Sequence, residues 1–192
     1  MKLFKKLAAV AVATVLALSM VGCGAANAGP SYKTELMNLL KDTASVVGES
    51  DAIENTSSMD TAAQVLLKNA QTAYDKLDGN KTVSKTLFVP DDATAKDDLL
   101  KAAGLTGKNA LVSYMVDQNY ASSYFNSMKY MEMLAKMMPR SDETTHQPVA
   151  QENQIEIGNL ATLEQAEKVE VGFARGQIGD KTYIVVVMAA AQ

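Results

Sequence analysis

The chain has 192 residues, a formal net charge of −4 and a single cysteine, Cys23. The excess of acidic residues disfavours a nucleic-acid-binding role, because nucleic acids are bound by basic surfaces. With one cysteine there is no internal disulfide and no thiolate cage for a metal, so the stability of the domain must come from packing.

The N-terminus has the pattern of a bacterial export signal. Lys2, Lys5 and Lys6 precede an almost uninterrupted apolar run over residues 7–20. That run suits the hydrophobic region of a secretory signal and is too short for a membrane span. The sequence Met20-Val21-Gly22-Cys23 follows, and it resembles the lipobox of bacterial lipoproteins. The resemblance implies that Cys23 is acylated and becomes the first residue of the mature protein.

A second cleavage site competes with this interpretation. Ala26-Asn27-Ala28 has the small-x-small pattern that signal peptidase recognises, and cleavage there would remove Cys23. We favour lipidation, because the only cysteine of the chain lies at the right distance behind the apolar run.

These features predict three regions: a signal peptide at 1–22, a flexible tether at 23–31 and a single domain at 32–192. Cleavage before Cys23 leaves 170 residues, with 15 basic against 22 acidic side chains and a net charge of −7. The predicted location is extracytoplasmic, at a bacterial membrane surface. Position 24 is a glycine and not the aspartate that is linked to inner-membrane retention in enterobacteria. An outer-membrane destination is therefore allowed in a Gram-negative cell. Gram type and membrane leaflet stay open.

Helices dominate the first part of the domain. Residues 32–47 have an apolar stripe of helical period, and Gly48 follows them as a stop. Residues 49–58 are polar and predict a loop. Residues 59–77 have the strongest helical period in the chain, and the turn residues around Gly79 end that helix.

The middle of the domain is mixed. Residues 86–89 predict a short strand, and Asp92 or Thr94 is placed to start a helix that Gly104 ends. Residues 110–116 are apolar enough for either a buried strand or a short helix. Residues 121–138 predict a helix, with Met133 and Met137 off its apolar stripe.

The last part predicts strands. Residues 140–153 form a polar, exposed loop, residues 154–157 a short strand and residues 162–167 a helical turn. Residues 169–191 predict a β-hairpin that turns at Gly179-Asp180. Residues 183–188 are apolar on both faces, which indicates a central strand covered by helices. The predicted fold class is therefore α+β, with helices on a small, mostly antiparallel sheet.

The order of these elements resembles the CAP superfamily of cysteine-rich secretory and pathogenesis-related domains. Three places carry the likeness: Glu35-Leu36-Met37-Asn38-Leu39-Leu40-Lys41 with Met59-Asp60-Thr61-Ala62-Ala63-Gln64, Leu99-Leu100-Lys101-Ala102-Ala103-Gly104, and Val169-Glu170-Val171-Gly172-Phe173-Ala174 with Tyr183-Ile184-Val185-Val186-Val187. The resemblance implies an α-β-α sandwich. Family members with the conserved cleft place two histidines and two acids there. This chain has only His146, so the resemblance implies a degenerate member without the metal-binding cleft.

Two sets of residues are candidates for a binding site. Aromatic and thioether side chains could contact a flat or apolar ligand, and the candidates are Tyr114, Tyr120, Tyr124, Met128 and Met131. Core packing is the commoner role for such residues. A weak metal site could combine Asp142, Glu143 and His146, although a solvated loop explains these three as well.

The sequence contains no serine-hydrolase elbow, no zinc-protease motif and no phosphate loop, and no cofactor is predicted. The favoured function is therefore a non-enzymatic lipoprotein that binds an envelope protein, an envelope polymer or a small apolar ligand. The alternatives are a CAP-like hydrolase or metal-handling protein, and a copper-binding protein that uses Met128, Met131 and Met133.

Overall fold

The computed structural model describes residues 32–46, 48–79, 81–117, 129, 132–142, 144–145 and 147–191. The helices are α1 (Tyr32–Ser45), α2 (Ser57–Asp75), α3 (Lys85–Phe88), α4 (Ala93–Ala102), α5 (residues 132–137) and α6 (Leu160–Glu164). The strands are β1 (Ile53–Asn55), β2 (Ala110–Val116), β3 (Arg140–Ser141), β4 (Pro148–Val149), β5 (Gln154–Ile157), β6 (Val169–Ile178) and β7 (Lys181–Ala190).

Five strands form one sheet in the order β1-β6-β7-β2-β5. In this sheet β1 and β6 run parallel, and the other pairs are antiparallel. β6 and β7 form the predicted hairpin, in which Ile178 pairs with Lys181 across a turn that Gly179 enters with a φ of 63°. The α+β class with a mostly antiparallel sheet is therefore confirmed, and residues 110–116 form a strand.

Helices cover both faces of this sheet. One apolar cluster joins α1, α5 and α6 to the face that carries Ile184 and Val186, and the other joins α2, α3 and α4 to the face that carries Val185 and Val187. Because successive residues of a strand point to opposite faces, β7 must be apolar at consecutive positions to serve both clusters, and it is so from Tyr183 to Ala190. This confirms the prediction of a central strand.

Local caps explain where the longer helices begin and end. Thr56 Oγ1 accepts a hydrogen bond from the N–H of Met59 at 3.3 Å, and Asp92 Oδ1 accepts one from the N–H of Ala95 at 2.9 Å. At the other end of α4, Gly104 has a φ of 66°, which is the left-handed conformation of a helix stop. Asp92 and Gly104 therefore act as the sequence predicts.

Two predictions of local structure were wrong. Residues 86–89 were expected to form a strand, but Lys85–Phe88 is a short helix. The helical turn lets the adjacent side chains of Leu87 and Phe88 both be buried against α2, and Asn69 Nδ2 donates to the carbonyl of Leu87 at 2.9 Å. The expected loop at 49–58 contains β1, whose three residues pair with β6 far along the chain.

The polar region at 140–153 is also more ordered than a single open loop. β3 pairs with β4 within it. At its end, the amide side chains of Gln151, Asn153 and Gln154 donate to carbonyls of residues 135, 136 and 138, at the C-terminal end of α5. Because the last carbonyls of a helix lack partners within the helix, these amides stabilise that end of α5.

Helix α2 crosses the sheet at a position where no side chain fits. A Cβ on Gly172 of β6 would lie 1.9 Å from the carbonyl carbon of Met59 and 2.1 Å from its oxygen. The backbone of the first turn of α2 therefore rests directly on the backbone of β6. Gly176, four residues further along β6, faces only side-chain atoms of Leu67 and Gln71.

We expect Gly172→Ala to lower the free energy of unfolding by at least about 3 kcal/mol, because two backbone segments must separate to admit the methyl group. Gly176→Ala is the matched control in the same strand. It should change stability by less than about 1 kcal/mol, because flexible side chains can move aside. Urea unfolding followed by circular dichroism measures both, and equal losses would contradict this account of the α2–β6 contact.

Candidate functional site: an ion network and a cleft at the edge of strand β6

A buried carboxylate lies at the end of β2. The side chain of Asp117 is 1% exposed, and the N–H of Asp117 extends the β2–β7 ladder by donating to the carbonyl of Thr182 at 2.7 Å. Asp117 Oδ1 contacts Lys129 Nζ, and Asp117 Oδ2 accepts a hydrogen bond from Arg175 Nε at 2.6 Å. Side chains from three separate parts of the chain therefore meet at one carboxylate.

The two cations differ in their access to solvent. The side chain of Lys129 is 8% exposed, whereas that of Arg175 is 43% exposed. A buried carboxylate is tolerated only where opposite charges compensate its desolvation, and Lys129 supplies that compensation inside the protein. Arg175 makes the second contact from the surface, so the group of three carries a surplus positive charge that is presented to solvent.

Tyr32, the first residue of α1, lies beside this guanidinium. The Cζ atom of Arg175 is 5.9 Å from the centre of the Tyr32 ring, a distance at which a cation and an aromatic face attract each other. Burial raises the pKa of the Tyr32 phenol, and the negative charge of Asp60 raises it further, although Arg175 opposes the shift. Tyr32 therefore stays protonated at neutral pH and keeps its ability to donate a hydrogen bond.

Asp60 lies in the first turn of α2 and connects that helix to its neighbours. Its Oδ1 accepts from Asn55 Nδ2 at 3.0 Å and from the N–H of Phe173 at 2.9 Å, and its Oδ2 contacts Lys33 Nζ. Burial acts to raise the pKa of Asp60, but the bonds from Lys33, Phe173 and Asn55 outweigh it, so the pKa lies below the ordinary value. One carboxylate thus joins α1, α2, β1 and β6.

A cleft of about 430 Å³ opens between these groups. β6 forms its floor, α2 forms one wall and the start of α1 forms the other. Its lining includes Tyr32, Gln64, Leu67, Gln71, Phe173 and Arg175. Hydrogen-bonding groups are thus interspersed with apolar surface, as in a site that orients a polar ligand.

The chemistry of this lining favours binding. A guanidinium is permanently charged, two amides do not titrate, and the pKa of Tyr32 is shifted upwards, away from neutrality. Proton transfer at neutral pH is most efficient for a group whose pKa lies near 7. The described part of the cleft therefore has donors and a fixed positive charge suited to holding an anionic or hydrogen-bonding ligand.

The structure places Tyr114 away from this cleft. Its ring stacks on Phe88 at 4.4 Å between centroids, on the opposite face of the sheet from Arg175. Of the predicted ligand-binding set, Tyr120, Tyr124, Met128 and Met131 lie outside the described residues, as does Cys23. Tyr114 and the cleft are therefore not parts of one site.

The prediction for two methionines of α5 was wrong. Met133 and Met137 were expected off the apolar stripe, but they are 3% and 0% exposed, within the cluster that joins α1, α5 and α6 to the sheet. Met133, one of the three thioethers of the copper alternative, is therefore a core residue.

Asp142 has a structural role in its turn. Its Oδ1 accepts from the N–H of Thr144 at 3.0 Å and from the N–H of Thr145 at 2.7 Å. Glu143 and His146, its predicted metal-binding partners, lie outside the described residues. Within the ranges that the structure describes, no three acidic, histidine or cysteine side chains are close enough together to hold a metal ion.

Sequence reasoning missed the ion network and the cleft beside it. Asp117, Lys129 and Arg175 are separated by 12 and 46 positions, and no local pattern connects them. No local signal marked Lys129, because it lies one and two helical turns before Met133 and Met137, off the apolar stripe expected for residues 121–138. The role of Gly172 was also missed, although a glycine inside a strand indicates close backbone contact.

Comparisons of the chain with models of protein families, with curated proteins and with solved structures found no match. The resemblance to the CAP superfamily therefore stays a prediction.

The pKa of Asp60 predicts a pH dependence of stability. Because the pKa is lower in the folded than in the unfolded chain, the contribution is present above about pH 4 and is lost as the pH falls through the folded pKa. Asp60→Asn keeps an acceptor for Phe173 but loses the charge. We expect it to cost about 1 kcal/mol at pH 7, and this difference from wild type should vanish near pH 2.

Urea unfolding at pH steps between these limits measures the difference, and Lys33→Met is the control. In that background, Asp60→Asn should show a smaller cost and a weaker pH dependence, because the hydrogen bond from Lys33 is the largest of the causes that lower the pKa of Asp60. A cost for Asp60→Asn that stays constant at every pH would contradict the ionic role of Asp60.

The Asp117 network predicts non-additive losses of stability. Asp117→Asn should cost about 3 kcal/mol, because it removes the carboxylate that compensates the buried charge of Lys129. Lys129→Met should cost less, because Arg175 still pairs with Asp117. The double variant should be more stable than the sum of the two losses predicts, by at least about 1 kcal/mol. Chemical unfolding of all four proteins measures the coupling, and strictly additive losses would show that the contact is energetically unimportant.

Proposed function

We propose that this chain is a lipid-anchored binding protein of the bacterial envelope, without catalytic activity and acylated at Cys23. The observation that carries this proposal is the position of the only cysteine, directly after the lysine-rich start and the apolar run over residues 7–20. Acyl chains contribute about 0.8 kcal/mol for each buried methylene, so the two or more chains of a lipoprotein anchor give stable attachment.

In this proposal the lipid on Cys23 attaches the protein to the membrane, with the domain outside the cytoplasm and tethered by residues 23–31. Among the helices that the structure describes, none is both long enough and apolar enough to cross a bilayer. In a Gram-negative cell the proposed destination is the outer membrane.

The cleft beside β6 supports the binding role. It combines a permanently charged guanidinium, a protonated phenol and two amides with the apolar side chains of Leu67 and Phe173. Such a lining favours a ligand that has hydrogen-bonding and anionic groups, as an envelope protein or a polar envelope polymer has. It fits a small apolar ligand less well, because the polar groups would lose water without gaining new partners.

Metabolic labelling tests the anchor. When the gene is expressed in a bacterium that processes lipoproteins, a clickable palmitate analogue should label the wild-type protein and should not label Cys23→Ala. Ala28→Leu is the matched control, because it disrupts only the competing cleavage site and should leave the label unchanged. Mass spectrometry should find an acylated N-terminus at Cys23. An unlabelled protein that begins at Gly29 would refute the anchor.

A further inference from the structure

The outer edge of β6 is only partly covered. β1 pairs with Val169 to Val171 and then ends, because the chain turns into α2. In an antiparallel pair, alternate residues direct their N–H and C=O groups to opposite sides of the strand. Since Ile178 and Lys181 close the hairpin, the even-numbered residues of β6 face β7. The odd-numbered residues face the outer edge.

Side chains occupy backbone hydrogen-bonding groups at two positions on this edge. Asp60 Oδ1 accepts from the N–H of Phe173, and Gln71 Nε2 donates to the carbonyl of Gln177 at 2.8 Å. Between them, the N–H and C=O of Arg175 face outward and have no hydrogen-bond partner within the described part of the chain. One residue thus offers a donor and an acceptor side by side, which is the pair that an added strand uses.

The side chain of Arg175 adds charge selectivity at the same point. Its Nε is occupied by Asp117, whereas its two terminal amino groups have no partner among the described residues. Asp117 also contacts Lys129, so its single negative charge is shared between two cations and does not fully offset the permanent charge of Arg175. The chain as a whole is acidic, but at physiological ionic strength charges act over about 8 Å, so the local charge selects the ligand.

We propose that the cleft and the free edge at Arg175 bind a short extended segment of another protein that carries an acidic side chain. The segment adds to β6 where β1 ends and places its carboxylate against the guanidinium of Arg175. This inference rests on the proposed binding function and names the class of partner. Phe173 and Gln177 are four residues apart, about 13 Å along the strand, so three residues of an added strand, which span about 10 Å, fit between these two occupied positions.

A second copy of this chain is a poorer occupant. Two β6 edges that pair antiparallel around Arg175 would bring the two guanidinium groups face to face. Like charges opposite each other in a sheet are destabilising. An acidic segment from a different protein has the complementary charge and meets no such repulsion.

Peptide binding to the processed protein in detergent micelles tests the proposal. The probe is the fluorescently labelled pentapeptide Thr-Val-Glu-Val-Thr, acetylated and amidated so that the glutamate is its only charge. We expect it to bind about tenfold more tightly than the same peptide with Gln in place of Glu. That difference is about what one hydrogen bond to a charged group contributes. N-methylation of the backbone nitrogen of the central residue should abolish binding, because it removes the N–H that donates to the edge of β6.

Two variants show whether Arg175 is responsible. Arg175→Gln should bring the Glu and Gln peptides to equal affinity, whereas Lys181→Gln, which removes a cation from the neighbouring strand, should leave the tenfold ratio unchanged. Circular dichroism checks that both variants are folded. In spectra of the ¹⁵N-labelled wild-type protein, binding should shift the amide signals of Arg175 and Gln177 most.

Four outcomes would overturn the proposal: no binding of either peptide up to about 1 mM, equal affinity of the two peptides for the wild type, binding of free N-acetylglutamate amide as tight as that of the peptide, or a dimer that Arg175→Gln dissociates. The third would indicate a site for small carboxylates and the fourth an interface between copies. None of these depends on acylation, so a failed palmitate label with normal peptide binding would refute only the anchor.

Discussion

The absence of a side chain at Gly172 is the constraint on which the rest of the structure depends. Because no Cβ is present, the first turn of α2 rests on the backbone of β6, with Met59 in direct contact. That contact brings Asp60 to the N–H of Phe173, just past the end of β1. The Asp60 carboxylate therefore covers the outer edge of β6 just beyond the end of β1. It also binds Lys33, the residue that follows Tyr32. The wall of the cleft, its floor and the point where the edge becomes free are therefore all fixed by one glycine.

Two carboxylates organise the charges around this contact in different ways. Asp60 is paired with Lys33, and its pKa is held below the ordinary value. Asp117 is deeper, and it has two cations, of which Arg175 is accessible from solvent. Burying a carboxylate is costly, and a single lysine would already compensate its charge. The second cation therefore leaves a positive group at the surface that is held in position by the core, which is a suitable arrangement for recognising an anion.

Sequence patterns predicted the parts of the fold that depend on neighbouring residues. The β6–β7 hairpin, the long helix α2 and the Asp92 cap follow from periodicity and turn chemistry within a few positions. β1 was missed because three mostly polar residues have no period, and their stability comes from pairing with a strand more than 100 residues away. The cleft was missed for the same reason. The contact of Arg175 with Asp117 joins residues 58 positions apart, and only the folded sheet brings them together.

Amide hydrogen exchange of the uncomplexed protein tests the central claim most directly, which is that β6 is closed at Phe173 and free at Arg175. The account predicts slow exchange for Ala174 and Gly176, which face β7, and for Phe173, which donates to Asp60. It predicts exchange at least about a hundredfold faster for Arg175 and Gln177, whose N–H groups face solvent. An Arg175 amide that exchanges as slowly as that of Gly176 would show that the edge is already covered, and it would contradict the account.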